Sequence, residues 1–95
     1  MARAEMLAVF CYDVAANRAR RRVAALLERH AVRVQDSVFE ARLTPKAAAR
    51  LARLAAKELG PADSLRVYLV AHDGRRHCLA FGPLPIGEAQ DFYLA

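Results

Sequence analysis

The segment from Met6 to Tyr12 is the feature that most restricts how this chain can fold. It reads MLAVFCY, a continuous apolar run containing β-favouring residues, and it ends at Asp13. Such a run is typical of a strand buried on both faces inside a sheet. It is too short to span a membrane, and no small-residue cleavage site follows it. We therefore expect a soluble cytoplasmic protein built around this strand, with no membrane partner.

Two helices are predicted from apolar residues that recur at helical spacing. The first runs from about Asn17, a suitable N-cap, to His30, and the second begins at Thr44-Pro45 and is closed by Gly60-Pro61. Their expected buried positions are Ala19, Val23, Leu26 and Leu27 in the first helix, and Ala48, Leu51, Leu54, Ala55 and Leu59 in the second.

Further strands are indicated by alternating apolar and polar residues. Residues 32–43, VRVQDSVFEARL, favour a tight hairpin that turns at 35–37, or else one bulged strand, and residues 63–70, DSLRVYLV, favour another strand. The order of elements predicts an α+β, ferredoxin-like βαββαβ fold, a four-stranded antiparallel sheet with two helices on one face. Residues 77–82 and 91–95 are expected to be short extended pieces.

The size and charge of the chain limit its organisation and its partners. Ninety-five residues form one domain, 1–95, whose small core would gain from self-association. Fifteen Lys and Arg against ten Asp and Glu give a net charge of +5, and thirteen of the cations are arginine. Arginine suits phosphate contacts, but a GC-rich genome also enriches it together with alanine. The charge alone favours a nucleic-acid partner only weakly.

Asp13 is the candidate metal ligand, at the end of the predicted central strand. One interpretation is a turn-forming aspartate; the other is a ligand of Mg²⁺, which takes one or two carboxylates together with waters and phosphates. No second acid lies beside it in the sequence. A two-fold dimer would supply that acid, because it brings the same residue of both chains to one axis.

A row of arginines lies on or near the predicted outer face of the first helix, namely Arg18, Arg21, Arg22 and Arg29. This row is either a solvated helix surface or a phosphate-binding surface. Arg20 and Arg22 follow Asp13 closely, so they are candidates to neutralise phosphates or the charge that develops in a transition state.

Other reactive side chains show no catalytic pattern. The three histidines lack metal-ligand spacing, and Ser37 and Ser64 lack an evident histidine and acid partner. The two cysteines lie far apart in no CxxC pattern, which predicts reduced thiols. Phe39 and Tyr68 are expected in the core or an interface rather than as stacking platforms for bases.

Four segments together resemble the CRISPR-associated protein 2 family: YDV at 12–14, RARRRVAALL at 18–27, RVQDSVFEARL at 33–43 and DSLRVYLV at 63–70. That family consists of small homodimeric ferredoxin-like proteins of CRISPR spacer acquisition. The resemblance implies a core at about 6–70 and a dimer-associated C-terminal extension at about 71–95. In relatives the final strand crosses onto the partner subunit, a role open here to HCLAFG or DFYLA.

The resemblance also implies a site and a cofactor. It places on Asp13 the metal-binding role of a Mg²⁺-dependent phosphodiesterase acting on RNA or DNA, with one ion shared by two Asp13 side chains across the dimer. The family's other catalytic positions match Tyr12, Arg20, Arg22, Arg33 and Phe39. The arginines expected to bind nucleic acid are Arg18, Arg20, Arg21, Arg22, Arg29 and Arg33.

Two functions are compatible with this resemblance. One is a metal-dependent endonuclease, and the other is a non-catalytic scaffold that binds duplex DNA and bridges the CRISPR-associated protein 1 integrase. The presence of Asp13 does not distinguish the endonuclease from the scaffold. The chain departs from many relatives at His30-Ala31, where a glycine is common, and at Asp36, which is often aromatic or an amide; neither position touches the predicted metal site.

Overall fold

A computed structural model describes residues 4–86 of the chain. The elements in chain order are β1 (Met6–Asp13), α1 (Asn17–Glu28), β2 (Val32–Gln35), β3 (Val38–Leu43), α2 (Pro45–Ala56), β4 (Ser64–Val70) and α3 (His72–Arg75). The predicted βαββαβ order is confirmed, and one turn of helix follows it. Among the described residues, no helix is long and apolar enough to cross a membrane.

The strand predicted to be central is central. The sheet has the order β2-β3-β1-β4, and β1 is antiparallel to both of its neighbours. Phe10 lies opposite Phe39 of β3 on one side and opposite Val67 of β4 on the other. This order, with α1 and α2 packed on one face, is the ferredoxin-like arrangement, so the predicted fold class is confirmed.

The core lies between the sheet and the two long helices. Ala8, Phe10 and Tyr12 project from β1 toward the helices because alternate residues of a strand share a face. Phe10, Phe39 and Leu27 have no exposed surface. Burying a side chain of this size contributes about 1.5–3 kcal/mol, so these contacts supply much of the stability of the fold.

The opposite face of the sheet is only partly covered in the single chain. We call it the open face; on β1 it carries Leu7, Val9, Cys11 and Asp13. Leu7 is buried, and α3 packs beside it against β1 and β4, but Val9 and Cys11 are only half-buried. The expectation that β1 is buried on both faces is therefore met fully on the helix side alone.

Two details of the predicted helices are wrong. The N-cap of α1 is Ala16, not Asn17, and the Asn17 side chain instead accepts a hydrogen bond from the Arg20 guanidinium. In α2 the buried residues are Ala48, Leu51 and Ala55, whereas Leu54 lies at the margin of this stripe and is 43% exposed. The predicted cap of α2 is confirmed, since the Thr44 hydroxyl accepts the Ala47 N–H at 3.2 Å.

The predicted hairpin is confirmed, and the C-terminal segment differs from expectation. β2 and β3 form two strands joined at Asp36-Ser37, with an irregularity between Arg33 and Gln35. Within residues 4–86, the segment 77–82 forms no strand; it follows α3 as a turn and then irregular chain. The segment DFYLA lies outside the described residues.

Asp63 joins two loops at one end of the sheet. Its Oδ2 accepts the Gly60 N–H at 2.7 Å, and its Oδ1 accepts the Ala15 N–H at 3.1 Å, across 48 residues of sequence. These two bonds, the one from Gly60 first, lower the pKa of the Asp63 carboxyl below its ordinary value. The ionised form therefore ties the loop after β1 to the loop before β4.

We expect Leu27→Ala to destabilise the protein by about 2–5 kcal/mol, because it leaves a cavity in the core. The matched change Leu54→Ala should cost about 1 kcal/mol, because much of that side chain already lies in water. Urea unfolding of both variants at one protein concentration measures the difference. Equal losses would show that Leu54 is as buried as the sequence pattern predicts.

A second prediction concerns acid stability. A carboxyl group with a lowered pKa in the folded state stabilises fully above its unfolded pKa and loses that contribution as pH falls through the folded value. The difference in unfolding free energy between the wild type and Asp63→Asn should therefore be constant above about pH 5 and shrink below about pH 3.8. Asp73→Asn, the same charge change at an exposed aspartate, is the control, and an identical profile for both variants would contradict the prediction.

Candidate metal and nucleic-acid site

Asp13 is the last residue of the central strand, and its side chain is exposed. Its backbone lies opposite Ser64, and strand alternation places its carboxylate on the open face with Cys11 and Val9. Within residues 4–86 this carboxylate has no hydrogen bond or ion pair. A free carboxylate of this kind suits a hard divalent cation, which prefers oxygen ligands.

One chain supplies only part of a metal site. Among the described residues, no group of three or more His, Cys, Asp or Glu side chains could hold a metal ion. Mg²⁺ needs fewer protein ligands than that, because waters and substrate phosphates complete its octahedron. The donor at Asp13 therefore fits Mg²⁺ as a single carboxylate, with the remaining positions left to water, substrate or a second copy of the chain.

Arg20 is directed back onto the loop that follows Asp13. Its Nη1 donates to the carbonyl oxygens of Val14 at 3.0 Å and Ala15 at 3.2 Å, and its Nη2 donates to the Asn17 side chain. The guanidinium is thereby held in place rather than extended into solvent. Arg20 therefore contacts the loop that begins one residue after Asp13.

Two other predicted arginines also have partners within the chain. Arg22 forms an ion pair with Glu58 at 3.4 Å, which joins α1 to the segment after α2. Arg33 lies 3.8 Å from Glu28, and its guanidinium carbon is 5.1 Å from the centroid of the Phe39 ring. Both side chains remain about half exposed, so each still presents charge to solvent.

Several of the predicted residues line one shallow cleft of about 280 Å³. The residues around it are Tyr12, Arg20, Arg21, Ala24, Arg33, Asp36 and Ser37. We call this the arginine cleft. It brings three arginine side chains together beside the β2–β3 turn and leaves them exposed to water. Such a cluster suits a ligand that carries a row of negatively charged phosphates.

Tyr12 and Phe39 support the arginine cleft from beneath. Tyr12 is buried, its hydroxyl donates to the Asp36 carbonyl at 3.3 Å, and its ring stacks on Phe39 with centroids 6.2 Å apart. Phe39 has no exposed surface, so its ring cannot touch a ligand directly in the described chain. Phe39 can affect ligand binding through its contact with the Arg33 guanidinium.

The predicted site residues therefore divide between two places. Tyr12 and Asp13 are neighbours in sequence, but strand alternation sends them to opposite faces of the sheet. Asp13 is not among the residues that line the arginine cleft. The structure brings together Tyr12, Arg20, Arg21, Arg33 and Phe39, and leaves Asp13 at the edge of the open face.

The remaining predicted arginines are exposed on α1. Within the described chain, Arg18, Arg21 and Arg29 form no ion pair. The first turn of α1 contains no acidic residue, so the positive end of the helix dipole adds to the charge of the arginines around it. The N-terminal end of α1 is therefore electropositive.

Sequence reasoning missed Arg66, which shares the open face with Asp13. Its backbone lies opposite Cys11, and its guanidinium donates to the Tyr68 hydroxyl at 3.1 Å. That hydrogen bond raises the pKa of Arg66 above its ordinary value, and a guanidinium is charged at physiological pH in any case. The signal was present in DSLRVYLV, where alternation separates Arg66 and Tyr68 from Leu65 and Val67.

Sequence reasoning also missed the contacts of Asp63, because its sequence context indicates only the start of a strand. Its two hydrogen bonds run to Gly60 and Ala15, and the second of these is a contact between distant loops. The sequence signal was limited to an acid three residues after a glycine.

Comparison with known proteins agrees with the fold described above. The family model described as CRISPR associated protein Cas2 matches residues 6–77. A curated relative from Synechocystis sp. (strain ATCC 27184 / PCC 6803 / Kazusa), the CRISPR-associated endoribonuclease Cas2 2, is 41% identical over 86 residues, which cover 88% of this chain and 92% of the relative.

Solved structures give the same result. The structure of Streptococcus pyogenes Cas2 at pH 6.5 superposes with a TM-score of 0.67 at 29% identity, covering 81% of this chain and 100% of that one. A chain of a partial Cas6-RT-Cas1–Cas2 complex superposes with a TM-score of 0.70 at 26% identity, covering 87% and 92%. From the matched sequence and the shared fold together, the chain belongs to the CRISPR associated protein Cas2 family.

Proposed function

We propose that this protein is a Mg²⁺-dependent endonuclease that cleaves phosphodiester bonds of RNA or DNA during CRISPR spacer acquisition. The observation that carries the proposal is the free, exposed carboxylate of Asp13 at the end of the central strand. The name of the Synechocystis relative, an endoribonuclease, supports the same reaction class. The proposal includes the roles predicted for Tyr12, Arg20, Arg22, Arg33 and Phe39.

The proposed active form is a homodimer. One chain offers a single carboxylate for the cation, and an isologous interface would double it. The open face is a surface suited to pairing, because Val9 and Cys11 are half-buried there and Tyr68 is 50% exposed. Pairing through this face would bury that apolar surface and bring two Asp13 side chains toward one axis.

Within such a dimer, each residue has a definite task. The two Asp13 carboxylates hold the cation, and Arg66 places a permanent positive charge on the same face for a phosphate. When bound there, Mg²⁺ would supply Lewis acidity, which neutralises charge on a phosphate and lowers the pKa of a coordinated water. Arg20, Arg21 and Arg33 hold the strand on either side of the cleaved bond, while Tyr12 and Phe39 keep the arginine cleft in shape.

The nuclease proposal predicts that Asp13→Ala lowers cleavage on the order of a hundredfold or more, as expected for losing a charge-stabilising contact to the reacting group. Asp73→Ala, which removes an exposed acid on α3 that does not line the arginine cleft, should leave cleavage unchanged. Both variants are purified identically and assayed on RNA and DNA with Mg²⁺. Cleavage that survives in Asp13→Ala, or that separates from the protein on further purification, contradicts the proposal.

A second candidate function is a non-catalytic scaffold that binds duplex DNA and bridges the CRISPR-associated protein 1 integrase. The observation that favours it is the row of Arg18, Arg21 and Arg29, which have no ion pair within residues 4–86 and lie apart from Asp13. The similar chain in the Cas6-RT-Cas1–Cas2 complex supports a partner of this kind. In this role Asp13 would be dispensable.

Binding to duplex DNA should depend on the α1 arginines rather than on total charge. The double variant Arg18→Glu, Arg21→Glu should weaken binding at least tenfold and reduce the slope of log affinity against log salt by about 1 to 2, since each lost phosphate contact removes about 0.9. The control variant Lys46→Glu, Arg50→Glu changes the net charge equally on α2. Equal losses in both would show that only net charge matters, and Asp13→Ala should bind like the wild type.

A further inference from the structure

The hydrogen bonds that fix Asp13 do not stop at the end of its strand. The last backbone pair between β1 and β4 joins Asp13 and Ser64. Two residues beyond Asp13, the Ala15 N–H is bound by the side chain of Asp63 at 3.1 Å. The Asp63 carboxylate therefore extends the pairing between the two segments past the point where the backbone ladder ends.

Asp63 is itself held tightly on its own side. Its second oxygen accepts the Gly60 N–H at 2.7 Å, and its backbone N–H donates to the Gly60 carbonyl at 3.1 Å. A Cβ added at Gly60 would lie 3.3 Å from Oδ2, so the absence of a side chain there allows the close approach. The Asp63 carboxylate thus links the two loops through hydrogen bonds and restricts their relative movement.

The loop after Asp13 is also held from the other direction. The Arg20 guanidinium donates to the carbonyl oxygens of Val14 and Ala15, while Asp63 accepts from the Ala15 N–H. Both polar groups of the Ala15 backbone are therefore bound by side chains. Little freedom remains for Val14 and Ala15, the first two of the three residues that connect Asp13 to α1.

We infer that Asp63 is a positioning residue for the Asp13 metal site, holding the β1–α1 loop so that the Asp13 carboxylate stays at the end of the β1–β4 ladder. This inference rests on the proposed function. Asp63 is not the missing second metal ligand, because both of its oxygens already accept backbone N–H groups. It acts through the loop and does not touch the cation or the substrate.

The test uses the full chain and Mn²⁺ as the probe, with binding measured by electron paramagnetic resonance and cleavage measured separately. Asp63→Asn keeps one acceptor oxygen and loses one of the two bonds, and Asp63→Ala loses both. We expect Mn²⁺ affinity to fall about tenfold in the first and further in the second, the range found when an outer-shell partner of a metal ligand is removed. Asp73→Asn, the charge-matched control, should stay within about twofold of the wild type.

All measurements are made well below the unfolding midpoint of each variant, so that a purely structural role of Asp63 would leave Mn²⁺ affinity unchanged. Gly60→Ala retains the carboxylate but crowds it, and we expect an intermediate loss of affinity. This variant decides the question if the Asp63 variants fail to fold: affinity equal to the wild type would overturn the inference.

The outcomes separate the two proposals. Should Asp13→Ala lose Mn²⁺ while Asp63→Asn behaves like Asp73→Asn, the inference about Asp63 is overturned and the metal site stands. Wild-type protein that binds no Mn²⁺, or Asp13→Ala protein that binds it normally, overturns the metal site and the role of Asp63 with it. A graded loss from Asp63→Asn to Asp63→Ala, at full folding, supports both.

Discussion

The antiparallel pairing of β1 with strands on both sides is the constraint on which the rest of the molecule depends. It makes β1 central, and the two-residue repeat of a strand then assigns every side chain to one face. Tyr12 must enter the core beneath the helices, and Asp13 must lie on the opposite side. The candidate metal ligand and the arginine cleft are therefore neighbours in sequence that act on different surfaces.

The arginines show how a small basic chain tolerates concentrated charge. Arg20, Arg22 and Arg33 each have an acceptor within the fold, whereas three others on α1 lack an ion pair among the described residues. Exposed ion pairs contribute only about 0–1 kcal/mol, so this arrangement does little for stability. Its main effect is electrostatic, because Arg18 and Arg21 in the N-terminal half of α1 add to the positive end of the helix dipole, where an anion would be stabilised, whereas Arg29 is the C-cap of that helix.

Local signals were sufficient for the fold and insufficient for its tertiary contacts. MLAVFCY, the Thr44-Pro45 cap and the alternation in 32–43 each act within a few residues. The cap and the hairpin were predicted correctly, and MLAVFCY is the central strand, although its burial is complete only on the helix side. Asn17 was wrongly predicted to be the N-cap of α1, because its side chain accepts a hydrogen bond from the Arg20 guanidinium about one turn later. The sequence pattern indicated Asp13 and most of the arginines as candidates, and the resemblance gave them roles, but the Asp63–Ala15 bond spans 48 residues, so no local pattern reveals it.

In the proposed dimer, completion of the fold and assembly of the metal site are coupled, because both depend on pairing of the two chains. The core of a 95-residue domain is small, and the half-buried Val9 and Cys11 lie on the same face as Asp13. Pairing through that face would complete the apolar layer and supply the second carboxylate together. A cation that binds only the paired state must then stabilise the dimer by mass action. Conversely, repulsion between the two negatively charged Asp13 side chains opposes pairing until a cation, alone or bound to a phosphate, neutralises them. Nucleic acid that brings such a cation would therefore favour dimerisation, and dimerisation would favour binding of the nucleic acid.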